Sequence, residues 1–154
     1  MKQIWAPWRM KYIAGPKSSK CIFCNNDEGL TLYREVSAGV KMNKYPYNNG
    51  HLMVYPLRHI ACLEDLESSE ASHLFSVLKR SVLILKETFN PDGFNIGLNL
   101  GVAAGAGIED HIHFHIVPRW KGDTNFMPIV GEVRVMPEHL KSTYDRLYPR
   151  FQGL

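Results

Sequence analysis

His111-Ile112-His113-Phe114-His115-Ile116-Val117-Pro118-Arg119-Trp120 is the stretch that decides how the rest of this sequence is read. Side chains alternate along an extended strand, so His111, His113 and His115 fall on one face and Ile112, Phe114 and Ile116 on the other. The apolar face seeks a core. The other face is costly to bury, because each imidazole carries two ring nitrogens that need partners. The segment therefore reads as a strand with one packing side and one chemical side. Two uses of the chemical side are open at this point: metal ligation, or nucleophilic catalysis by one imidazole that the others orient.

Upstream of this strand, Gly101–Gly107 (GVAAGAG) is a loop of small residues that lets backbone N–H groups approach an anion. Before it, Phe94-Asn95-Ile96-Gly97-Leu98-Asn99-Leu100 alternates strictly and predicts another strand with one buried face. Further back, Ala71, Leu74, Phe75, Leu78, Val82, Leu85 and Phe89 step by three and four, the spacing of a helix with one apolar face. Ser68 or Ser69 can cap that helix, Glu70 suits its positive end, and Asn90-Pro91-Asp92-Gly93 stops it. Residues 31–37 and 39–45 read as two strands joined at Ala38-Gly39, and His51–Tyr55 as a third, stopped by Pro56. Past the histidines, a short strand is expected around Val133-Arg134-Val135. A C-terminal helix is expected from Pro137, a favourable first helical residue. The order β-β-β-α-β-β implies an α+β fold, a mainly antiparallel sheet with one long helix and a C-terminal helix. The expected organisation is an arm over residues 1–30, a domain over 31–120, and an extension over 121–154 that packs on the same domain.

Composition narrows the function classes. The chain has 154 residues, 45% of them hydrophobic, with 18 basic against 15 acidic residues and a net charge of +3. That balance suits a folded globular domain, and it lacks the basic stripe that duplex nucleic acid would require. No apolar run approaches the ~20 residues of a membrane span, and MKQIWAPWRM has no apolar core of a signal peptide. A cytoplasmic protein is expected, with neither nucleic acid nor membrane as partner. Its three cysteines are an odd count for a disulfide framework and are expected reduced.

Cys21-x-x-Cys24 is a second constellation, and CxxC alone serves either zinc or redox chemistry. No thioredoxin-like βαβ pattern surrounds it, which favours zinc. P-loop, dinucleotide-fold and H-E-x-x-H motifs do not occur. Cys62 reads as core or helix surface, and His73 and His139 as solvated helix positions. Trp5, Trp8 and Tyr12 are candidate anchors of the arm or a dimer contact. Trp120 is placed either to stack on a base or to pack at the strand end.

His-x-His-x-His followed by two apolar residues resembles the histidine triad (HIT) family of nucleotide hydrolases and transferases. The resemblance extends to Met42-Asn43-Lys44-Tyr45-Pro46 and to Gly50-His51-Leu52-Met53-Val54-Tyr55-Pro56-Leu57-Arg58-His59, and covers about residues 20–120. The continuation Arg119–Met127 is similar to the branch associated with diadenosine tetraphosphate phosphorylase, also called ATP adenylyltransferase. The resemblance implies a HIT-like fold and a homodimer. It makes His113 the nucleophile on an α-phosphorus, with His115 donating hydrogen bonds to phosphate oxygens. It puts Asn99 near the scissile phosphate, Asn43 on the ribose hydroxyls, and Gly105 and Gly107 beside the phosphates. It also implies a structural zinc held by Cys21, Cys24, His59 and His111, which would clip the arm to the sheet. One position departs from the pattern. Many members carry a hydroxyl residue three positions before the first histidine, where this chain has Ile108.

The expected function is nucleotidyl transfer from a diadenosine polyphosphate, with inorganic phosphate as acceptor. Its alternatives are a hydrolase of dinucleoside polyphosphates or nucleoside phosphoramidates, a nucleotide-binding sensor without turnover, and a zinc-dependent adaptor.

Overall fold

Among the described residues, five strands form one antiparallel sheet: β1 (Thr31–Glu35), β2 (Ala38–Met42), β3 (Leu52–Pro56), β4 (Gly93–Leu98) and β5 (Phe114–Arg119), in spatial order β1-β2-β3-β5-β4. Helix α1 (Ser68–Phe89) lies between β3 and β4 in sequence, and helix α2 (Leu140–Phe151) follows the sheet. This α+β architecture comes from a computed structural model that describes residues 21–25, 29–123 and 136–153. The strand expected at Val133–Val135, and Trp5, Trp8 and Tyr12, lie outside the described residues.

The two faces of the sheet do different things. Val40, Met42, Leu52, Val54 and Ile116 form one core with Leu74, Val77, Leu78 and Leu85 of α1 and Leu147 and Phe151 of α2. Each such side chain contributes about 1.5–3 kcal/mol when fully buried, so this face supplies most of the driving force for folding. Alternation sends Met53 and Tyr55 to the opposite face, where they pack with Phe23 in a second, smaller cluster. The histidine segment obeys the same rule: Phe114 and Ile116 join the helix-side core, and His115 turns away from it.

Several boundaries differ from the expectation for physical reasons. The β1–β2 hairpin turns at Val36-Ser37, with Val36 at φ 58°, and not at Ala38-Gly39. Gly39 serves close approach instead: a Cβ there would lie 2.4 Å from Cζ of Tyr55. β2 ends at Met42, where the side-chain oxygen of Asn43 accepts from the N–H of Tyr45 at 2.8 Å and turns the chain. Helix α1 is capped by Glu67 and not by Ser68 or Ser69, in a reciprocal capping box with Glu70. It ends on Asn90 in the left-handed conformation. Its buried stripe is Leu74, Val77, Leu78, Ser81, Ile84 and Leu85, which leaves Phe75 59% exposed. His73 is not solvated as expected; it is half-buried, with Nδ1 2.9 Å from the hydroxyl of Ser37. β4 is an edge strand without the clean buried face its alternation suggested, since Ile96 is 46% exposed.

Candidate active site and metal centre

Strand β5 begins at Phe114, so only His115 lies within it, and His111 and His113 sit on its approach. That approach is fixed by a backbone bond from Ile112 N–H to the carbonyl of Ile60 at 2.8 Å. Four hydrogen bonds then set the tautomers of His111, His113 and His115, because a carbonyl can only accept and a main-chain N–H can only donate.

His113 Nδ1 lies 2.9 Å from the carbonyl oxygen of His111 and must donate to it, which leaves Nε2 with a free lone pair. The ring is 4% exposed, and burial pushes its pKa below the ordinary imidazole value. It is therefore neutral at pH 7 and carries an available nitrogen nucleophile.

His115 is set through a relay. The N–H of Tyr47 donates to Nδ1 of His51 at 3.1 Å, so the proton of His51 is on Nε2. That nitrogen is 2.9 Å from Nδ1 of His115, which must accept, and the proton of His115 is then on its Nε2. Burial and then the neighbouring His113 lower the pKa of His115 to about 4. A neutral imidazole that presents an N–H thus stands beside one that presents a lone pair, with ring centroids 4.8 Å apart. His51 was not anticipated from the sequence. It stands alone at the edge of β3, and its partner is distant in sequence, so no local pattern marks it.

His111 Nε2 donates to the carbonyl of Pro56 at 2.8 Å, which frees Nδ1. Nδ1 faces Cys21 Sγ at 3.2 Å and Cys24 Sγ at 3.7 Å, and Cys24 Sγ lies 3.2 Å from Nδ1 of His59. The four ligand atoms of Cys21, Cys24, His59 and His111 all lie within 4.8 Å of one another. A tetrahedral zinc with ligands at ~2.0–2.3 Å needs separations of about 3.3–3.8 Å, so the donor set fits a closed metal site. The carbonyl that holds His111 is the outer partner such ligands require.

Between the two cysteines, Phe23 is 1% exposed and inserts under both sites. Its ring lies 5.1 Å from His111, 4.8 Å from His113 and 4.6 Å from Tyr55. Alternation cannot reveal this contact, because it depends on how the arm folds back. Ile108 packs against the same Phe23 cluster, so this position anchors the loop to the arm.

The remaining expected residues are placed as follows. Asn43 is half-buried, with Nδ2 3.6 Å from the sulfur of Met53, the β3 residue paired with His115. Asn99 Nδ2 reaches the carbonyl of Gly105 at 3.5 Å and spans the base of the small-residue loop. Within that loop Gly101 and Gly105 have positive φ, and the N–H groups of Ala104, Gly105 and Ala106 bond inside the loop. Gly107 is exposed, and Trp120 is half-buried at the end of β5. Cys62 is exposed. Among the described residues, no helix is long and apolar enough to cross a membrane.

Comparison with known proteins agrees with this geometry. AP-4-A phosphorylase of Mycobacterium tuberculosis is 38% identical over 157 aligned residues, 93% of this chain and 80% of that protein. A hypothetical histidine triad nucleotide-binding protein from Sulfolobus tokodaii superposes with a TM-score of 0.71 at 26% identity, over 87% of this chain and 93% of that one. A zinc-bound histidine triad family protein from Mycobacterium smegmatis gives a TM-score of 0.68 at 27% identity, over 86% and 94% of the two chains. With the HIT domain model matching residues 27–122, three histidines in fixed tautomers and the sheet that carries them, this chain is an enzyme of the HIT domain family.

Proposed function

We propose that the chain transfers an adenylyl group from diadenosine tetraphosphate to inorganic phosphate through a covalent intermediate on His113. The observation that carries this reading is the pairing of a lone pair on His113 Nε2 with an N–H on His115 Nε2. His113 Nε2 attacks the α-phosphorus, the P–N bond forms, and the P–O bond to the remaining triphosphate breaks, releasing ATP. Phosphate oxygen then attacks the same phosphorus from solution, the P–N bond breaks, and ADP leaves. His115 donates to the non-bridging oxygens, whose charge grows in each transition state. Splitting one displacement in two is the advantage of a covalent nucleophile.

The likeness to a phosphorylase and the Arg119–Met127 segment support phosphate over water as acceptor. Ile108 is occupied with Phe23, which suits a leaving group that needs no side-chain acid; a polyphosphate meets that condition. In this reading Asn43 holds the ribose, Asn99, Gly105 and Gly107 shape the phosphate site, and Trp120 flanks the nucleotide. Cys21, Cys24, His59 and His111 hold a zinc that clips the arm to the sheet. The zinc supplies structure, and the protein's own imidazoles do the chemistry. The exposed Ile96 and Leu100 at the β4 edge support a second copy of the chain as the partner there.

A rapid quench of enzyme with labelled diadenosine tetraphosphate into alkaline denaturant, which preserves the acid-labile P–N bond, tests the intermediate. Adenylate on the peptide that contains His113 is expected. Label on another residue, or none during turnover, would reject the nucleophile.

A further inference from the structure

We propose that Asn48 and Asp123 are positioning residues that fix the tautomer of His115 by holding His51 against it; this rests on the nucleotidyl-transfer reading above. The β3–β5 ladder stops at the pair Leu52 and Ile116, one residue short of His51. His51 is instead held by the turn that precedes β3. The Tyr47 N–H bonds its Nδ1, and the Tyr47 ring stacks on it at 4.7 Å and 28°.

Asn48 ties that turn to the far end of β5. Its Nδ2 donates to the carbonyl of Pro118 at 3.1 Å and to Oδ2 of Asp123 at 2.8 Å. Its Oδ1 accepts from the N–H of Asn49 at 3.0 Å, and its carbonyl accepts from the N–H of His51 at 3.2 Å. One residue is thus bonded to the backbone of His51 on one side and to the end of the His115 strand on the other.

Asp123 is in turn held rigidly. Arg119 donates to both of its oxygens, at 2.7 and 2.8 Å, and the N–H of Trp120 adds a third bond at 3.1 Å. The same guanidinium reaches Oδ1 of Asn95 on β4 at 2.7 Å. A two-point guanidinium–carboxylate pair fixes direction as well as distance, and the Asp123 side chain is only 11% exposed. The network therefore sets the spacing of His51 and His115 from outside the ladder. If that spacing relaxes, Nδ1 of His115 loses its donor, and the ring is free to take the other tautomer. The other tautomer turns a lone pair toward phosphate oxygen and repels it.

The test combines a spectroscopic readout with kinetics, in Asn48→Ala and, separately, Asp123→Asn, each checked for folding by thermal melting. In ligand-free wild type, nitrogen-15 shifts should show His115 protonated on Nε2 alone. In either folded variant the two nitrogens should move toward a mixture. The kcat for diadenosine tetraphosphate should fall ~10-fold with KM little changed, as for loss of a group that acts only on the transition state. Because Asn48 acts through His51, adding Asn48→Ala to His51→Ala should lower kcat by less than about twofold further. Unchanged His115 shifts in both folded variants would overturn the proposal, as would an equal loss from Asn48→Ala in both backgrounds. The shifts are read without substrate, so they decide the positioning role even if the wild type does not turn over this dinucleotide.

Discussion

His111 faces two sites at once: its carbonyl oxygen accepts from Nδ1 of His113 at 2.9 Å, and its own Nδ1 lies 3.2 Å from the sulfur of Cys21. The residue that sets the tautomer of the proposed nucleophile is therefore also a member of the cluster that could hold a metal. In the proposed scheme metal binding and catalysis share a backbone, although no metal touches the reacting atoms.

Removal of the metal should then act on catalysis at one remove. Untagged protein is expected to carry about one zinc per chain, as a closed four-ligand site implies. Cys24→Ser should lose it and melt at a lower temperature, because the free energy of metal binding contributes to folding. Its activity should fall, though less than in His113→Ala. Elemental analysis together with thermal melting checks this; no zinc in the wild type and a normal melt for Cys24→Ser would leave His111 without a metal role.

Phe23 offers a separate probe of the same linkage. Truncation of a buried aromatic side chain costs about 3–5 kcal/mol, and here the cavity would open beneath His111 and His113. Phe23→Leu, which keeps most of the volume, should retain more stability and more kcat than Phe23→Ala. Denaturant melts of the two variants, with kcat measured on each, give the order. Equal activity in Phe23→Ala and wild type would show that the wedge has no bearing on the nucleophile.

The acid side of the stability curve carries a signature of the burial of His115. His115 has a folded pKa of about 4, lowered first by burial and then by His113, against an ordinary value of 6.5. Between those values the unfolded chain binds the extra proton and the folded one does not. Stability is thus complete above pH 6.5 and declines as pH falls toward 4, by up to ~1.4 kcal/mol per pH unit for one group. Side-chain NMR should place the His115 titration well below pH 5.5. A midpoint near the ordinary value would mean that the ring is solvated.

How much of this was legible in the sequence depended on whether a feature was local. The spacing of His111, His113 and His115 is a local pattern and was legible as such, although only His115 lies within β5, and the 22-residue helix α1 showed in its own spacing. His51 was not legible, since its partner His115 lies 64 positions away and the bond depends on how β3 is placed beside β5. The Phe23 wedge was hidden for the same reason. Gly39 misled in the opposite direction: glycine beside alanine suggested a turn, whereas the residue is small because the Tyr55 ring crosses over it. Likewise the alternation of β4 marked a strand correctly but could not show that the strand is an edge with Ile96 open to solvent.

Loss of the nucleophile should separate chemistry from binding. His113→Ala is expected to lower kcat by about 10³-fold or more while binding of the dinucleotide stays within a few-fold of wild type, since the covalent step is removed and the contacts to base, ribose and phosphates remain. Calorimetric titration beside steady-state kinetics makes the comparison. A variant that keeps near-normal kcat places the nucleophile elsewhere.

The acceptor is decided most directly by the products formed from diadenosine tetraphosphate in phosphate buffer and in phosphate-free buffer. With phosphate present, equal amounts of ATP and ADP are expected, and labelled phosphate should appear in the β-position of ADP. Without phosphate, turnover should fall sharply. Equal rates in the two buffers, with AMP and ATP as products in both, would contradict adenylyl transfer to phosphate and make the enzyme a hydrolase.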